Sequence, residues 1–368
     1  MTLPRADYGS ELERLLPMLL TPQLLSVELE LTTACPCRCV TCGSNCGRAA
    51  DDELTTRELC GLLEESKALG CRRLTFLGGE PLCRPDLITL IRHAKDCNML
   101  PEVVTSGIGL TEEVARKLHA AEVTAVTVSV DGLESSHDAQ RGVKGAFRQA
   151  LAAIGALEQA HIPVGVTTQV NQLSLPELEA MGYVLLNAGA IGWQLQATLP
   201  IGRAADSPLV LSESDMPILL VVLRRLAQRH KLAPYVTDNI GWWTCDDAKL
   251  RSTRGGLPRC WLGCSAGLRH VGITSTGDVK GCLALGNGFV EGNVRLESLG
   301  QIWQDVARFA YNRKYTPVSL SGPCAGCANG PLCGGGCIAA SVAHHGQPGI
   351  NTRCLFLCEQ REEGTLAR

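Results

Sequence analysis

Three cysteines, Cys35, Cys39 and Cys42, follow directly on an apolar, β-branched run from Leu25 to Thr32. Such a run reads as a strand. The chain must therefore leave a sheet and turn at once into a tight loop whose side chains are thiols. Three thiolates on one loop can hold three irons of a four-iron cluster and leave the fourth iron open to a ligand. A closed structural cluster or a zinc knuckle would instead need a fourth ligand close by, and Cys37 and Cys46 are the local candidates.

The chain has 368 residues, 19 of them cysteine. A secreted disulfide protein is excluded by the first twenty residues. They carry Arg5, Asp7, Glu11, Glu13 and Arg14, and lack an apolar core of signal-peptide length. In a reducing compartment, cysteines in short-spaced groups indicate metal rather than disulfides, so the expectation is a soluble cytoplasmic metalloprotein. No apolar run is long enough to span a bilayer. A net charge of -3 gives no electrostatic case for a nucleic acid partner. Residues are 45% hydrophobic but only 4% aromatic, so the core must rest on Leu, Val, Ile and Ala.

Strand-like runs alternate with helix-like ones through the first two-thirds. The strands are expected at Leu25–Thr32, Leu74–Leu77, Glu102–Thr105, Ala125–Val130, Val164–Val170 and Trp193–Ala197. Thr55 with Glu58, and Ser174 with Glu177, read as capping boxes, and Thr111 as the cap of a helix reaching Ala120. Six such units predict an α/β fold with a parallel sheet, open or curled into a partial barrel. Ligands in these folds sit at the C-terminal strand ends. That rule gathers the cysteine loop, Gly78-Gly79-Glu80-Pro81, Thr105-Ser106-Gly107 and Ser129-Val130-Asp131-Gly132 onto one rim. Ordinary turn chemistry would explain each of these alone.

Taken together these motifs resemble those of the radical S-adenosylmethionine (SAM) superfamily, over roughly Leu25 to Leu232. The resemblance implies a partial (β/α)6 barrel. It implies a cluster on Cys35, Cys39 and Cys42 that binds SAM and cleaves it to a 5′-deoxyadenosyl radical. By the same resemblance Gly78, Gly79 and Glu80 bind the SAM amino group. Ser106 stands where the family usually has Asn, and Ser129 and Asp131 reach the ribose and carboxylate. Arg141 is then a carboxylate partner. Thr41 departs from the aromatic residue that many relatives place before the third cysteine.

Beyond Cys245 glycines and cysteines crowd together and periodicity fades. Cys264 is followed by Gly277 and Cys282, then by Cys324, Cys327, Cys333, Cys337 and Cys354. That is too many thiols for one tetrahedral zinc. The pattern resembles the SPASM extension of peptide-modifying radical SAM enzymes, which implies two auxiliary four-iron clusters and three in all. Carried over, one takes Cys260, Cys264, Cys282 and Cys337, with Cys245 as a substitute for Cys260 or that position left open for substrate. The other takes Cys324, Cys327, Cys333 and Cys354, with Cys358 as the fallback. The expected division is a segment 1–24, a barrel 25–235 and a SPASM domain 236–368. Cys60, Cys71, Cys83 and Cys97 read as small core residues, and His344-His345 as part of a polar turn.

Segments such as Gly202-Arg203-Ala204, Gly292-Asn293-Val294 and Phe309-Ala310-Tyr311-Asn312-Arg313 place the likeness nearest to maturases of ribosomally made peptides. The implied substrate is a peptide to be crosslinked or oxidised. The implied partners are a flavodoxin- or ferredoxin-type electron donor and a separate leader-binding protein, the alternative being direct recognition of the leader by the barrel. A small-molecule dehydrogenase or a haem-pathway decarboxylase is the alternative. A sulfatase-maturating enzyme ranks below both, because Leu283 stands where that family has its Asp base. An iron–sulfur scaffold without SAM chemistry would leave the Gly78–Glu80 and Ser129–Gly132 turns unexplained.

Overall fold

A computed structural model of the chain describes residues 21–229, 231–232, 234–241, 250–251 and 263–362. Cys245 and Cys260 lie outside the described residues.

All six expected strands form, as β1 Ser26–Glu30, β2 Arg73–Leu77, β3 Leu100–Thr105, β4 Ala125–Ser129, β5 Val164–Val170 and β6 Gly192–Ala197. Each pairs in parallel with the next. The crossovers carry helices α1 Thr56–Ala68, α2 Leu87–Asp96, α3 Glu112–Ala120, α4 Glu134–Arg141, α5 Ala146–Gln159 and α6 Leu178–Asn187. Alternation sets the two faces of the sheet. Val27, Leu29, Leu74, Phe76, Val126, Val128, Val166, Trp193 and Leu195 are all buried in one core with Leu59, Leu63, Leu90, Ile91, Ala150 and Ile154 of the helices. The opposite parity lines the barrel lumen with half-buried or buried polar residues, among them Thr75, Glu102, Thr127, Thr167, Gln169, Gln194 and Gln196.

Two further parallel strands extend this array. After α7 (Met216–Arg229), β7 Pro234–Val236 pairs with β6 and straddles the expected boundary at residue 235. β8 His270–Ile273, from the cysteine-rich third, pairs in parallel with β1. β9 Asp278–Lys280 and β10 Gly292–Asn293 continue antiparallel from it. The described strands thus form one ten-stranded sheet in the order β10-β9-β8-β1-β2-β3-β4-β5-β6-β7. The last third is a set of short helices: α8 Leu299–Gln304, α9 Ala310–Arg313, α10 Gly330–Cys333, α11 Ile338–His345 and α12 Leu355–Glu362.

The caps divide. Thr55 and Glu58 form their reciprocal box at α1, and Thr111 accepts from the Val114 amide at 3.3 Å. The Ser174 box does not form, because Ser174 Oγ instead donates to the Gln169 carbonyl and accepts from the Asn171 amide. His344 and His345 end a helix rather than lie in a turn. Cys71 and Cys97 are buried as expected, Cys60 is half-buried, and Cys83 is exposed, which removes it from the core. No disulfide joins any of the described cysteines. No helix of the described residues is long and apolar enough to cross a membrane.

Candidate active site

The first strand delivers the cysteine loop to the rim, and two glycines of the next turn fit beneath it. Gly78 sits at φ +134, where a Cβ would lie 2.6 Å from the Thr32 carbonyl. A Cβ on Gly79 would collide with the Ala34 carbonyl. Only glycine lets this backbone approach so closely. The Gly79 amide donates to Thr32 O at 2.7 Å and the Glu80 amide to Ala34 O at 2.8 Å, so the second turn is hydrogen-bonded to the start of the loop.

Glu80 is fully buried behind that contact. Its Oε1 accepts from Thr105 Oγ1 at 2.7 Å, and its Oε2 from Ser106 Oγ at 2.6 Å and the Ser106 amide at 2.8 Å. Burial still pushes its pKa above the usual carboxylate range despite these donors. Ser106 therefore acts through Glu80, by fixing its carboxylate.

Buried Asp131 pairs with half-buried Arg141, Arg141 Nη2 lying 2.6 Å from Asp131 Oδ2. Arg141 Nη1 also donates to Cys39 Sγ at 3.7 Å. Burial works against the Arg141 charge, but Asp131 and Cys39 hold its pKa above the ordinary value. Two side chains of α4 fix the Asp131 backbone: His137 Nδ1 accepts its amide at 3.0 Å and Gln140 Nε2 donates to its carbonyl at 2.7 Å. His137 is buried, and burial with the nearby Arg141 lowers its pKa to about 4, so the ring is neutral. Ser129, half-buried at the end of β4, opens onto the same rim.

The three loop thiols are all shifted towards the thiolate. Cys39 is lowered to about 6, first by a hydrogen bond from the Cys37 thiol and then by Arg141. Cys42 is lowered to about 5 by the Cys46 thiol, and Cys35 is lowered by Cys37. The Cys37 and Cys46 amides also donate to Cys35 Sγ and Cys42 Sγ, each at 3.4 Å. Sequence spacing does not make Cys37 and Cys46 ligands. The structure gives both a second task, as buried donors to the three loop sulfurs.

In the last third the thiols fall into two groups. Cys324, Cys327, Cys333 and Cys354 line one hollow with Asn351 and Leu357, whereas Cys358 does not reach it and packs into the main core. The Asn351 amide donates to Cys324 Sγ at 3.3 Å. Cys264, Cys282 and Cys337 pack together against a small core of Leu199, Leu285, Ile338, Ala339 and Ala340. Among the described residues no three His, Cys, Asp or Glu side chains converge as ligands of a single ion would. Four thiols around one hollow suit a multi-iron cluster, which takes one thiolate per iron.

The segment from Phe309 to Arg313 fixes the second of these groups. Asn312 Nδ2 donates to the Cys264 and Ala266 carbonyls at 2.7 and 2.8 Å. Arg313 donates to the Gly267, Trp303 and Asp305 carbonyls and stacks 4.5–4.6 Å from the Phe309 and Trp303 rings. Tyr311 lies so close to Gly281 that a Cβ there would strike its hydroxyl. Burial, with Cys264 and Cys282 nearby, pushes the Tyr311 pKa up.

Comparison with known proteins agrees with this geometry. Residues 29–174 match the radical SAM superfamily, and residues 264–328 match SPASM, an iron–sulfur cluster-binding domain. The AdoMet-dependent heme synthase of Methanosarcina barkeri is 29% identical over 326 residues, covering 86% of this chain and 92% of the relative. The mycofactocin maturase MftC of Mycolicibacterium smegmatis is 28% identical over 318 residues, covering 84% of this chain and 77% of the relative. The crystal structure of Streptococcus suis SuiB bound to precursor peptide SuiA superimposes with a TM-score of 0.71 at 15% identity. It covers 93% of this chain and 78% of that one, and so shares the fold. The chain is a radical SAM enzyme, with a SAM-binding four-iron cluster domain on a partial barrel and a C-terminal iron–sulfur SPASM domain.

Proposed function

We propose that this enzyme oxidises a ribosomally made peptide, forming a crosslink or an oxidised residue. The observation that carries the reading is the character of the lumen below the cysteine loop. It presents hydroxyls and amides from Thr75, Thr127, Thr167, Gln169, Gln194 and Gln196, which can exchange hydrogen bonds with a peptide backbone. Its acidic groups already have partners: Glu102 pairs with Arg73 at 3.3 Å, Glu28 with His270 at 3.4 Å, and Glu30 accepts from the Ser275 hydroxyl. Relatives named as maturation proteins, MftC among them, support the same reading.

When bound, the cluster and SAM supply one-electron cleavage of SAM and a carbon radical that removes a hydrogen atom from the substrate. In this reading Cys35, Cys39 and Cys42 hold that cluster. The Gly78–Glu80 turn receives the SAM amino group, and Ser129, Asp131 and Arg141 face its ribose and carboxylate. Cys324, Cys327, Cys333 and Cys354 hold one auxiliary cluster, and Cys264, Cys282 and Cys337 contribute to another. The barrel and SPASM domain are assigned to residues 25–235 and 236–368. A leader-binding protein and a flavodoxin- or ferredoxin-type donor complete the system.

A second reading, a small-molecule enzyme of haem synthesis, is favoured by the coverage of the heme synthase relatives. One experiment separates the two. The enzyme is co-expressed with a short open reading frame neighbouring its gene, and the peptide is weighed. Loss of two hydrogens per site, abolished in a variant with Cys35, Cys39 and Cys42 changed to Ala, supports the peptide reading. An unchanged mass with 5′-deoxyadenosine still formed, and turnover of a tetrapyrrole instead, overturns it.

A further inference from the structure

The segment between β6 and α7 touches two of the three thiol groups. On one side Leu199 and Ile201 belong to the small core against which Cys264, Cys282 and Cys337 pack. On the other side the segment closes over the backbone of the cysteine loop. Ile201 reaches Gly43, where a Cβ would lie 3.0 Å from its Cδ1. Gly202 adopts φ +56, and a Cβ there would collide with the Cys42 and Gly43 carbonyls. The Arg203 amide donates to Cys42 O at 2.9 Å. Its guanidinium donates through Nε to Cys39 O at 2.6 Å and through Nη1 to Cys46 O at 2.9 Å.

Three carbonyls of one loop are thus held by a single residue, delivered by a glycine that no other residue can replace without strain. The planar fork of arginine suits two acceptors at a fixed separation, whereas a lysine ammonium is a point donor. Of the nearby cations, Arg141 is already committed to Asp131, and Arg38, within the loop, turns its guanidinium to Gly47. Arg203 also places a full positive charge beside a site whose bound group gains an electron on reduction. A nearby cation favours the more negative, reduced state.

We propose that Arg203 is the positioning residue of the cysteine loop, setting its geometry and the reduction potential of the group it binds. On this proposal the Leu199–Arg203 strap ties that loop mechanically to the Cys264/Cys282/Cys337 region. The proposal rests on Cys35, Cys39 and Cys42 being the SAM-cluster ligands. That assignment is checked separately: their triple alanine variant must lose the electron paramagnetic resonance signal that responds to SAM. If the signal survives, the ligand assignment has failed, and not the role of Arg203.

The test uses the full-length, iron-reconstituted protein as wild type, Arg203→Gln and Arg203→Lys. Iron per chain, the SAM-responsive signal and its midpoint potential are measured together. Arg203→Gln is expected to keep the signals that do not respond to SAM, to broaden the one that does, and to shift its potential to more negative values. SAM cleavage falls roughly 10–100-fold, the usual effect of removing an outer-shell partner. Arg203→Lys, which keeps the charge but not the fork, recovers the potential more fully than the line shape. If Arg203→Gln fails to bind iron, a broadened SAM-responsive signal in Arg203→Lys supports the proposal. Wild-type line shape and potential in whichever variants bind iron overturn it.

Discussion

Glu80 has both carboxylate oxygens occupied from the third strand end, by Thr105 and by Ser106. The sequence makes Glu80 stand out, because a Gly-Gly-Glu-Pro turn follows a strand. It hides the division of labour, since nothing in the spacing says that Ser106 faces Glu80. Replacing Ser106 by Ala would leave Oε2 with one backbone donor in a buried site. A hydrogen bond to a charged group contributes about 1.5–3 kcal/mol, so Ser106→Ala should lower unfolding stability by that order. Urea melts at pH 7 check this, and an unchanged midpoint would show that the hydroxyl is dispensable. His137 makes a pH-dependent contribution. Its folded pKa is depressed to about 4 from 6.5, so between those values the unfolded chain binds a proton that the native chain refuses. Stability is therefore complete above pH 6.5 and is lost as pH falls towards 4, by about 3 kcal/mol in total. His344, lowered to about 4 chiefly by burial, adds a slope of the same sign. Comparing wild type with His137→Gln at pH 7 and pH 4.5 isolates the His137 share. Equal slopes in the two proteins would show that the proton is taken up elsewhere.

At the scale of elements, the strands were legible to within a residue or two because β-branched runs bounded by helical stretches leave little choice. Caps were less so. Thr55 caps α1 because its partner Glu58 is local and nothing competes. Ser174 fails because Asn171 Oδ1 has already taken the Leu173 and Ser174 amides, a turn that depends on how β5 ends. Gly277 shows the other limit. Its spacing to Cys282 marks it as significant, but only the structure gives the reason. It turns the β8–β9 hairpin at φ +94, with Asn293 against it, and Asn293 Nδ2 bonds the Thr276 carbonyl and Asp278. Gly277 and the Gly292-Asn293-Val294 segment are thus two halves of one corner. Gly277→Ala would force a side chain into left-handed backbone with its Cβ 3.0 Å from Asn293 Oδ1. The expected cost is about 1–3 kcal/mol. Because β9 leads straight to Cys282, iron bound per chain should fall as well, measured after reconstitution. Full iron content with an unchanged melt would mean that the hairpin tolerates the strain.

At the scale of the whole molecule, the change in texture after Cys245 invites division into two independent units, and the sheet argues against it. β8 belongs by sequence to the cysteine-rich third, yet it completes the barrel sheet. Val271 stands opposite Val27 and Ile273 opposite Leu29, all four buried. Side chains reinforce the join: Glu30 accepts from the Ser275 amide and hydroxyl, and Arg295 reaches Glu58 and the Asp52 and Glu53 carbonyls. On the far side of the barrel, Arg224 of α7 meets Glu359 of α12 at 2.7 Å. A parallel pairing between segments this distant carries no local sequence signal, which is why the strand pattern alone missed it. The consequence is testable by truncation. A chain ending at residue 235 would bare the hydrogen-bonding edge of β1 and the apolar side chains that β8 covers. An exposed, apolar strand edge is a template for association. Burying a Val or Ile side chain is worth about 1.5–3 kcal/mol, so losing Val271, Ile273 and Val279 together approaches the margin of a typical domain. The truncated barrel should therefore elute from size exclusion as aggregate, or fail to accumulate, even with Cys35, Cys39 and Cys42 intact. A monomeric truncation that melts like the full chain would show that the barrel is self-sufficient and that β8 merely decorates it.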